Sequence, residues 1–239
     1  MSAFFISDLH LCSWRPEINR IFFEFMSGPA REAQVLYILG DLFEYWAGDD
    51  DRGDSFNASV VEALAGFSLS GRGLYLMHGN RDFLLGGEFA RSCNSDLLAD
   101  PHALDLHGMP TLLMHGDTLC TDDKDYQRFR AEVRSPDWQR RFLAQPLALR
   151  KGQIESVRNT SESEKQRKAP EIMDVNRDAV EAVLRKNGYP RLIHGHTHRP
   201  ARHEHRVDGR VCERWVLADW YQAGSYLRCD ESGCTPVQL

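Results

Sequence analysis

A chain of 239 residues, 42% of them hydrophobic, can bury a substantial core without disulfide or metal staples, in one large domain or one domain with an insertion. Its net charge of −6 argues against broad nucleic-acid binding, so any basic patch has to be local. Six cysteines (Cys12, Cys93, Cys120, Cys212, Cys229 and Cys234) form no C-x-x-C pair, and the expectation is reduced, mostly structural thiols. No basic leader precedes a long apolar core, and nowhere do about 18 uncharged apolar residues run together. These features predict a cytoplasmic chain with at most peripheral membrane contact.

Residues 3–7 read as a buried strand that runs into Asp8-Leu9-His10, where Asp8 and His10, two apart, can project to one side. Over 17–27, Ile18, Ile21, Phe22 and Phe25 recur at helical spacing, and Gly28-Pro29 stops the helix. A second strand over 35–39 ends in Gly40-Asp41, whose glycine lets the chain turn closely. Asp49-Asp50-Asp51 reads as a solvated loop. Trp46 is either a platform for a base or a buried residue. A third strand over 74–77 ends in His78-Gly79-Asn80-Arg81-Asp82, and a fourth over 111–114 in His115-Gly116-Asp117.

The character changes over 122–168, which hold twelve Lys or Arg against eight Asp or Glu, a net +4 that leaves −10 on the remainder. Helices are expected at about 123–134, at 137–150 with a break near Pro146, and at about 152–168. Trp138, Phe142, Leu143, Leu147 and Leu149 give them an apolar side beside Arg140, Arg141, Arg150 and Lys151. Two readings stay open: a helical subdomain packed on the core, or a cap that is basic toward phosphate and apolar toward a lipid chain or membrane surface. The organisation is then one domain over 1–239 with a helical insertion at 122–168. Beyond it come a helix over about 170–187, closed by Gly188, and hairpin-style strands at about 203–208, 211–218, 224–229 and 234–238.

Between that helix and those strands lies Leu-Ile-His-Gly-His-Thr-His-Arg at 192–199, an apolar run emptying into three histidines. Five strand ends therefore deliver polar side chains of ligand type, and in α/β sheets ligands bind beyond the strand ends. The donors are Asp8, His10, Asp41, Asn80, His115, His196 and His198, with His194 in reserve. Seven mixed nitrogen and oxygen donors exceed one tetrahedral site and suit two divalent ions such as Mn, Fe or Zn. Two ions about 3.5 to 4 Å apart would acidify a bridging water and clamp a phosphoryl group. That chemistry is phosphoester hydrolysis.

Asp8-Leu9-His10, Gly40-Asp41, Gly79-Asn80, His115 and Gly195-His196-Thr197-His198 resemble, in order and context, the calcineurin-like metallophosphoesterase signature. The resemblance implies a four-layer α/β/β/α sandwich, with Asp8, His10 and His198 on one metal, Asn80, His115 and His196 on the other, and Asp41 bridging. Longer matches (Tyr-Ile-Leu-Gly-Asp-Leu-Phe-Glu, His-Gly-Asn-Arg-Asp-Phe-Leu-Leu-Gly, Met-His-Gly-Asp-Thr-Leu-Cys-Thr-Asp-Asp, Ile-Met-Asp-Val-Asn and Leu-Ile-His-Gly-His-Thr-His-Arg-Pro) look like the UDP-2,3-diacylglucosamine diphosphatases of lipid A biosynthesis, a resemblance that spans essentially the whole chain. That family implies two Mn(II) ions, with Fe, Zn or Mg as substitutes, and UMP and 2,3-diacylglucosamine 1-phosphate as products. It also implies a peripheral seat on the cytoplasmic face of the inner membrane.

Where many members of the superfamily have histidine after Gly-Asn, this chain has Arg81. Its guanidinium cannot donate a proton to a leaving group but can hold phosphate oxygens with forked bonds. Asp41, Asn80, Arg81 and His196 are thus the expected catalytic set. By resemblance, Asp123, Ser161, Lys165 and Lys168 contact the acylated glucosamine phosphate, while helical spacing adds Tyr126 and Arg158. Other readings are a dimetal phosphoesterase acting on nucleotides or phosphoproteins, and a non-catalytic membrane-binding module.

Overall fold

The computed structural model describes residues 2–165, 172 and 174–239, the side chains of 159–165 excepted. Strands β1 (Ala3–Ile6), β2 (Val35–Leu39), β3 (Gly73–Met77) and β4 (Asp96–Leu98) run parallel in one sheet. Strands β5 (His102–Leu106), β6 (Met109–Met114), β7 (Arg191–His194), β8 (Ala201–Val207) and β9 (Arg210–Val216) form a second sheet, ordered β5-β6-β7-β9-β8. The last hairpin, β10 (Ser225–Asp230) and β11 (Gly233–Gln238), returns to the first sheet beside β1, giving β11-β10-β1-β2-β3-β4. The tail strands therefore complete two sheets rather than one.

Period-two alternation sorts these strands into layers. Phe5, Tyr37 and Leu39 of the first sheet meet Leu113 and Ile193 of the second in a core between the sheets. Their neighbours Phe4, Ile6, Leu36 and Ile38 point the other way, onto helices α1 (Pro16–Ser27), α2 (Ser55–Ser68) and α3 (Gly87–Ser92). On the far face, Leu112, Met114 and Leu192 pack on Val180 and Leu184 of α7 (Arg177–Lys186). The result is the four-layer α/β/β/α sandwich, with the parallel strand ends of β1, β2, β3, β6 and β7 delivering the donor-bearing loops.

Helices α4 (Lys124–Val133), α5 (Pro136–Leu143) and α6 (Leu147–Lys165) occupy the basic stretch. The break near Pro146 is present, but a single helix starts at Leu147 where two helices were expected to meet near 150, because Pro fits the residues just before a helix. Residues 55–68, where the sequence pattern marks no element, form α2 behind an Asp54 cap that accepts from Phe56 N at 3.0 Å. The helix expected from 170 is seen from Arg177, behind Asn176 as its cap; residues 170, 171 and 173 lie outside the described set.

Two further expectations are corrected. Cys229 and Cys234 are joined in a disulfide, because the hairpin register sets them directly opposite, with Cα atoms 4.1 Å apart. Cys12, Cys93, Cys120 and Cys212 are buried and lie outside that disulfide. The acidic run is not a solvated loop: Asp51 is buried against Lys151 Nζ at 2.6 Å, and Asp50 pairs with the buried Arg150. Asp49 accepts from Trp46 Nε1 and from the backbone N–H groups of Gly86, Glu88 and Phe89 at the start of α3. Trp46 itself is fully buried against Phe43 and Phe89, so it is a core residue and no base can stack on it.

Candidate metal centre

The loops after β1 and β2 continue as a backbone ladder past the sheet: Asp8 N donates to Gly40 O at 3.1 Å and His10 N to Asp41 O at 2.9 Å. The turn after β3 is drawn in by Asp82, whose buried carboxylate accepts from Gly79 N, Asp41 N and Leu42 N at 2.7 to 3.2 Å. Gly79 must lack a side chain, because a Cβ there would lie 2.1 Å from Asp41 Oδ1. Gly195 must too, since its Cβ would sit 2.3 Å from Asp8 Oδ2.

Asp8, His10, Asp41, His196 and His198 all adopt positive φ, between 51° and 69°. Such a backbone costs a non-glycine residue about 1 to 3 kcal/mol and persists only where the surroundings over-determine it. Five strained residues at one point mark a functional site.

Two groups of donors converge there: Asp8, His10 and His198, and Asp8, Asp41 and His115, the atoms of each within 4.8 Å of one another. Asp41 faces both, with Oδ2 3.8 Å from His10 Nε2 and Oδ1 3.9 Å from His115 Nε2. Asp8 Oδ1 lies 3.3 Å from His198 Nε2. Asn80 Oδ1 sits between His115 Nε2 at 3.1 Å and His196 Nδ1 at 2.8 Å. The structure thus brings all seven sequence-predicted donors together. His194 is not among them; its ring is buried and directed toward Arg214 on β9.

The chemistry of the set fits divalent cations. Among the described residues the buried His10 Nε2 has no hydrogen-bond partner and Asp8 Oδ1 has only the His198 ring beside it, a costly arrangement that a bound cation would relieve. His115 Nδ1 is 2.9 Å from Leu39 O, so Nδ1 donates there and Nε2 is the ring atom directed into the centre, able to coordinate once its own proton gives way to a cation. Burial lowers the pKa of His115, but the Asp41, Asp8 and Asp117 carboxylates outweigh it and raise it to about 9. The pocket therefore draws positive charge. Burial, reinforced by His115, lowers His196 to about 4, keeping a neutral imidazole suited to coordination. Burial and the Asp41 carboxylate raise Asp82 to about 6.

Supporting acids were not singled out in the sequence. Glu44 Oε2 lies 3.2 Å from His10 Nδ1 and Glu44 Oε1 3.6 Å from Arg81 Nη1, so this carboxylate aims both a donor and the arginine. Asp219 Oδ2 is 3.8 Å from His198 Nδ1. Tyr221 stacks on His10, centroids 5.1 Å apart. For Glu44 and Asp82 the available signal was an acid one to three residues past a donor; for Asp219 and Tyr221 there was none.

Arg81 sits at the edge, its N–H bonded to Asp41 Oδ1 at 2.7 Å. From the basic helices, Tyr126 donates to Asp117 Oδ2 at 2.6 Å and stacks near His196 at 6.0 Å. Arg130 Nε donates to the same Asp117 oxygen, and Arg134 Nη2 reaches Gly79 O at 2.8 Å. Asp123 caps α4, accepting from Tyr126 N. Arg158 lies over the Trp14 ring at 5.2 Å. The side chains of Ser161 and Lys165, and all of Lys168, lie outside the described residues.

The calcineurin-like phosphoesterase family model matches residues 1–200. A protein of Aromatoleum aromaticum named UDP-2,3-diacylglucosamine hydrolase is 59% identical over 239 residues, covering 100% of this chain and 97% of that one. Proteins of the same name from Cellvibrio japonicus and Pseudomonas paraeruginosa are 49% and 48% identical, each covering 98% of this chain and 97% of its own. Among the described residues no helix is long and apolar enough to cross a membrane. The chain belongs to the calcineurin-like phosphoesterase family, on the branch whose members bear the name UDP-2,3-diacylglucosamine hydrolase.

Proposed function

We infer that this chain hydrolyses the pyrophosphate bond of UDP-2,3-diacylglucosamine by water attack on the uridine-linked phosphorus, releasing UMP and 2,3-diacylglucosamine 1-phosphate for lipid A biosynthesis. The observation that carries the reading is a buried carboxylate and imidazole centre with Arg81, rather than a proton donor, at its edge. The relatives' shared name points to the substrate. Asp8, His10 and His198 would hold one Mn(II), Asn80, His115 and His196 the other, with Asp41 shared. When bound, such a pair supplies an acidified water and positive charge for the phosphoryl oxygens.

The residues of the chain do the rest. Arg81, held by Glu44 and by its own N–H to Asp41, presents a fork to the phosphoryl oxygens as charge builds on them. It has no proton to give, and a sugar 1-phosphate leaves without one more readily than an alcohol does. Asn80 and His196 position the phosphate from the opposite edge, and the Tyr126 ring beside His196 walls the site. Asp123, Ser161, Lys165, Lys168 and Arg158 would contact the acylated glucosamine end.

Part of the apolar surface of the helical stretch packs on the core, as with Phe142, but Phe129, Leu143, Leu149 and Val157 stay exposed. They offer acyl chains, and the cytoplasmic face of the inner membrane, an apolar surface that a nucleotide phosphatase would not need. The helices over 122–168 then act as a cap inserted in one domain of a monomeric, peripheral enzyme. The test is UMP release from UDP-2,3-diacylglucosamine by metal-stripped protein with Mn, Zn or Mg restored. Mn-dependent release is expected; its absence sinks the reading, and equal turnover of a deacylated substrate favours a general nucleotide phosphoesterase.

A further inference from the structure

His194 closes β7, fully buried, one residue before the turn that carries His196 and His198. Its Nδ1 is 2.8 Å from Gly195 O and its Nε2 is 3.1 Å from Arg214 Nη1. A carbonyl only accepts and a guanidinium only donates, so the tautomer is fixed: Nδ1 carries the proton and Nε2 accepts from Arg214.

Arg214 is itself buried, and among the described residues no carboxylate forms an ion pair with it. Its Nε donates instead to His205 Nε2 at 3.0 Å, across the strand pair β8 and β9. Burying a guanidinium against two imidazoles costs desolvation that a carboxylate would offset better, so packing alone does not account for it.

The turn rests on the His194 ring. Gly195 N donates to His115 O at 2.9 Å, and Gly195 O takes Thr197 N at 2.8 Å besides the imidazole. A Cβ on Gly116 would lie 2.7 Å from His194 Nδ1 and 3.0 Å from Gly195 O, so the ring is wedged between the His115 turn and the His196 turn. Both His196 and His198 hold positive φ just beyond it.

We propose that Arg214 and His194 are positioning residues: Arg214 orients His194, whose Nδ1 proton holds the Gly195 carbonyl and keeps His196 and His198 aimed at the two donor groups. The inference rests on the reading that those histidines hold metal. In a pair of near-isosteric variants, His194→Asn keeps an amide N–H near the Nδ1 position and loses the bond from Arg214. His194→Gln keeps an acceptor for Arg214 and loses the bond to Gly195.

The experiment measures Mn(II) binding to the metal-stripped full chain by titration and by the EPR signal of the coupled pair, with kcat and KM beside it. Wild type is expected to bind two ions. His194→Gln and Arg214→Met should bind them about 10- to 100-fold more weakly, as outer-shell losses do, with kcat falling and KM unchanged. His194→Asn, which keeps the donor to Gly195 but not the orienting bond from Arg214, should bind Mn(II) more tightly than His194→Gln, a rescue that a role in folding alone would not produce. If the Asn and Gln variants bind Mn alike, whether well or poorly, the inference is overturned even if Arg214→Met does not fold. If wild type binds no divalent ion, the metal reading itself fails and this one with it.

Discussion

The donor loops and helices α4 to α6 are held by different means. The loops are tied through their main chain, by Asp8 N to Gly40 O, His10 N to Asp41 O and the four backbone N–H groups gathered by the Asp82 carboxylate. The helices are tied to the rest of the fold through side chains: Tyr126 and Arg130 to Asp117, Arg134 to Gly79 O, and Arg150 to Ala47 O and Asp50. Main-chain ties fix donor positions to a fraction of an ångström, which phosphoryl transfer demands. Side-chain ties would suit the proposed role of these helices as a cap over a large substrate.

That contrast breaks first if a donor proves dispensable. Asp41→Ala should abolish hydrolysis and weaken Mn(II) binding by more than about 100-fold, beyond the ~10- to 100-fold expected for loss of an outer-shell partner. Metal analysis and UMP release check it together, and retention of two tightly bound ions would refute the assignment of Asp41.

Arg81→Ala comes next. Turnover should fall by about 10² to 10³, the scale of one lost oxyanion partner, with metal content intact. Loss of metal instead would mean that Arg81 supports the donors and not the phosphoryl group.

On the helical side, Leu149, 52% exposed, tests the apolar surface. Leu149→Gln should leave the melting temperature unchanged and raise KM for the diacyl substrate by about three- to tenfold, the worth of a partly buried aliphatic contact. KM for a deacylated substrate should not move.

The smallest effect is expected far from both regions. Asp208, fully exposed, is held down to about 2 by bonds from Arg185 and Tyr189. A lowered carboxylate stabilises the fold above its unfolded pKa of about 4, and that contribution is lost as pH falls toward 2. Asp208→Asn should therefore lower the unfolding temperature slightly at neutral pH, a small shift because the pair is solvent-screened, and the difference from wild type should vanish below about pH 2.

Much of the donor set was legible because the sequence repeats one local device: an apolar strand, a close turn, then a histidine, aspartate or asparagine. Asp8, Asp41, Asn80, His115 and His196 follow it, and the structure brings them together. Less legible were residues whose role depends on a partner far along the chain. Asp49 looks solvated until α3 places three N–H groups on it, and Asp50 and Asp51 look solvated until α6 brings Arg150 and Lys151. Cys229 and Cys234 look like unrelated thiols until a hairpin register opposes them. Helix α2 is not legible from its pattern although Asp54 offers a cap, because nothing along the chain says which of its faces is buried.

By itself the sequence determined the alternation that sends Phe4 and Ile6 one way and Phe5 the other, and the chemistry of the donors at the strand ends. Both follow from local geometry, since side chains on a strand must alternate and glycine must stand where backbones approach. Only the tertiary structure decided that the tail strands divide between two sheets, that His194 turns away toward Arg214, and that Glu44 and Asp82 brace the centre. Those outcomes depend on strand order and on which loops come face to face, which no single stretch of residues contains.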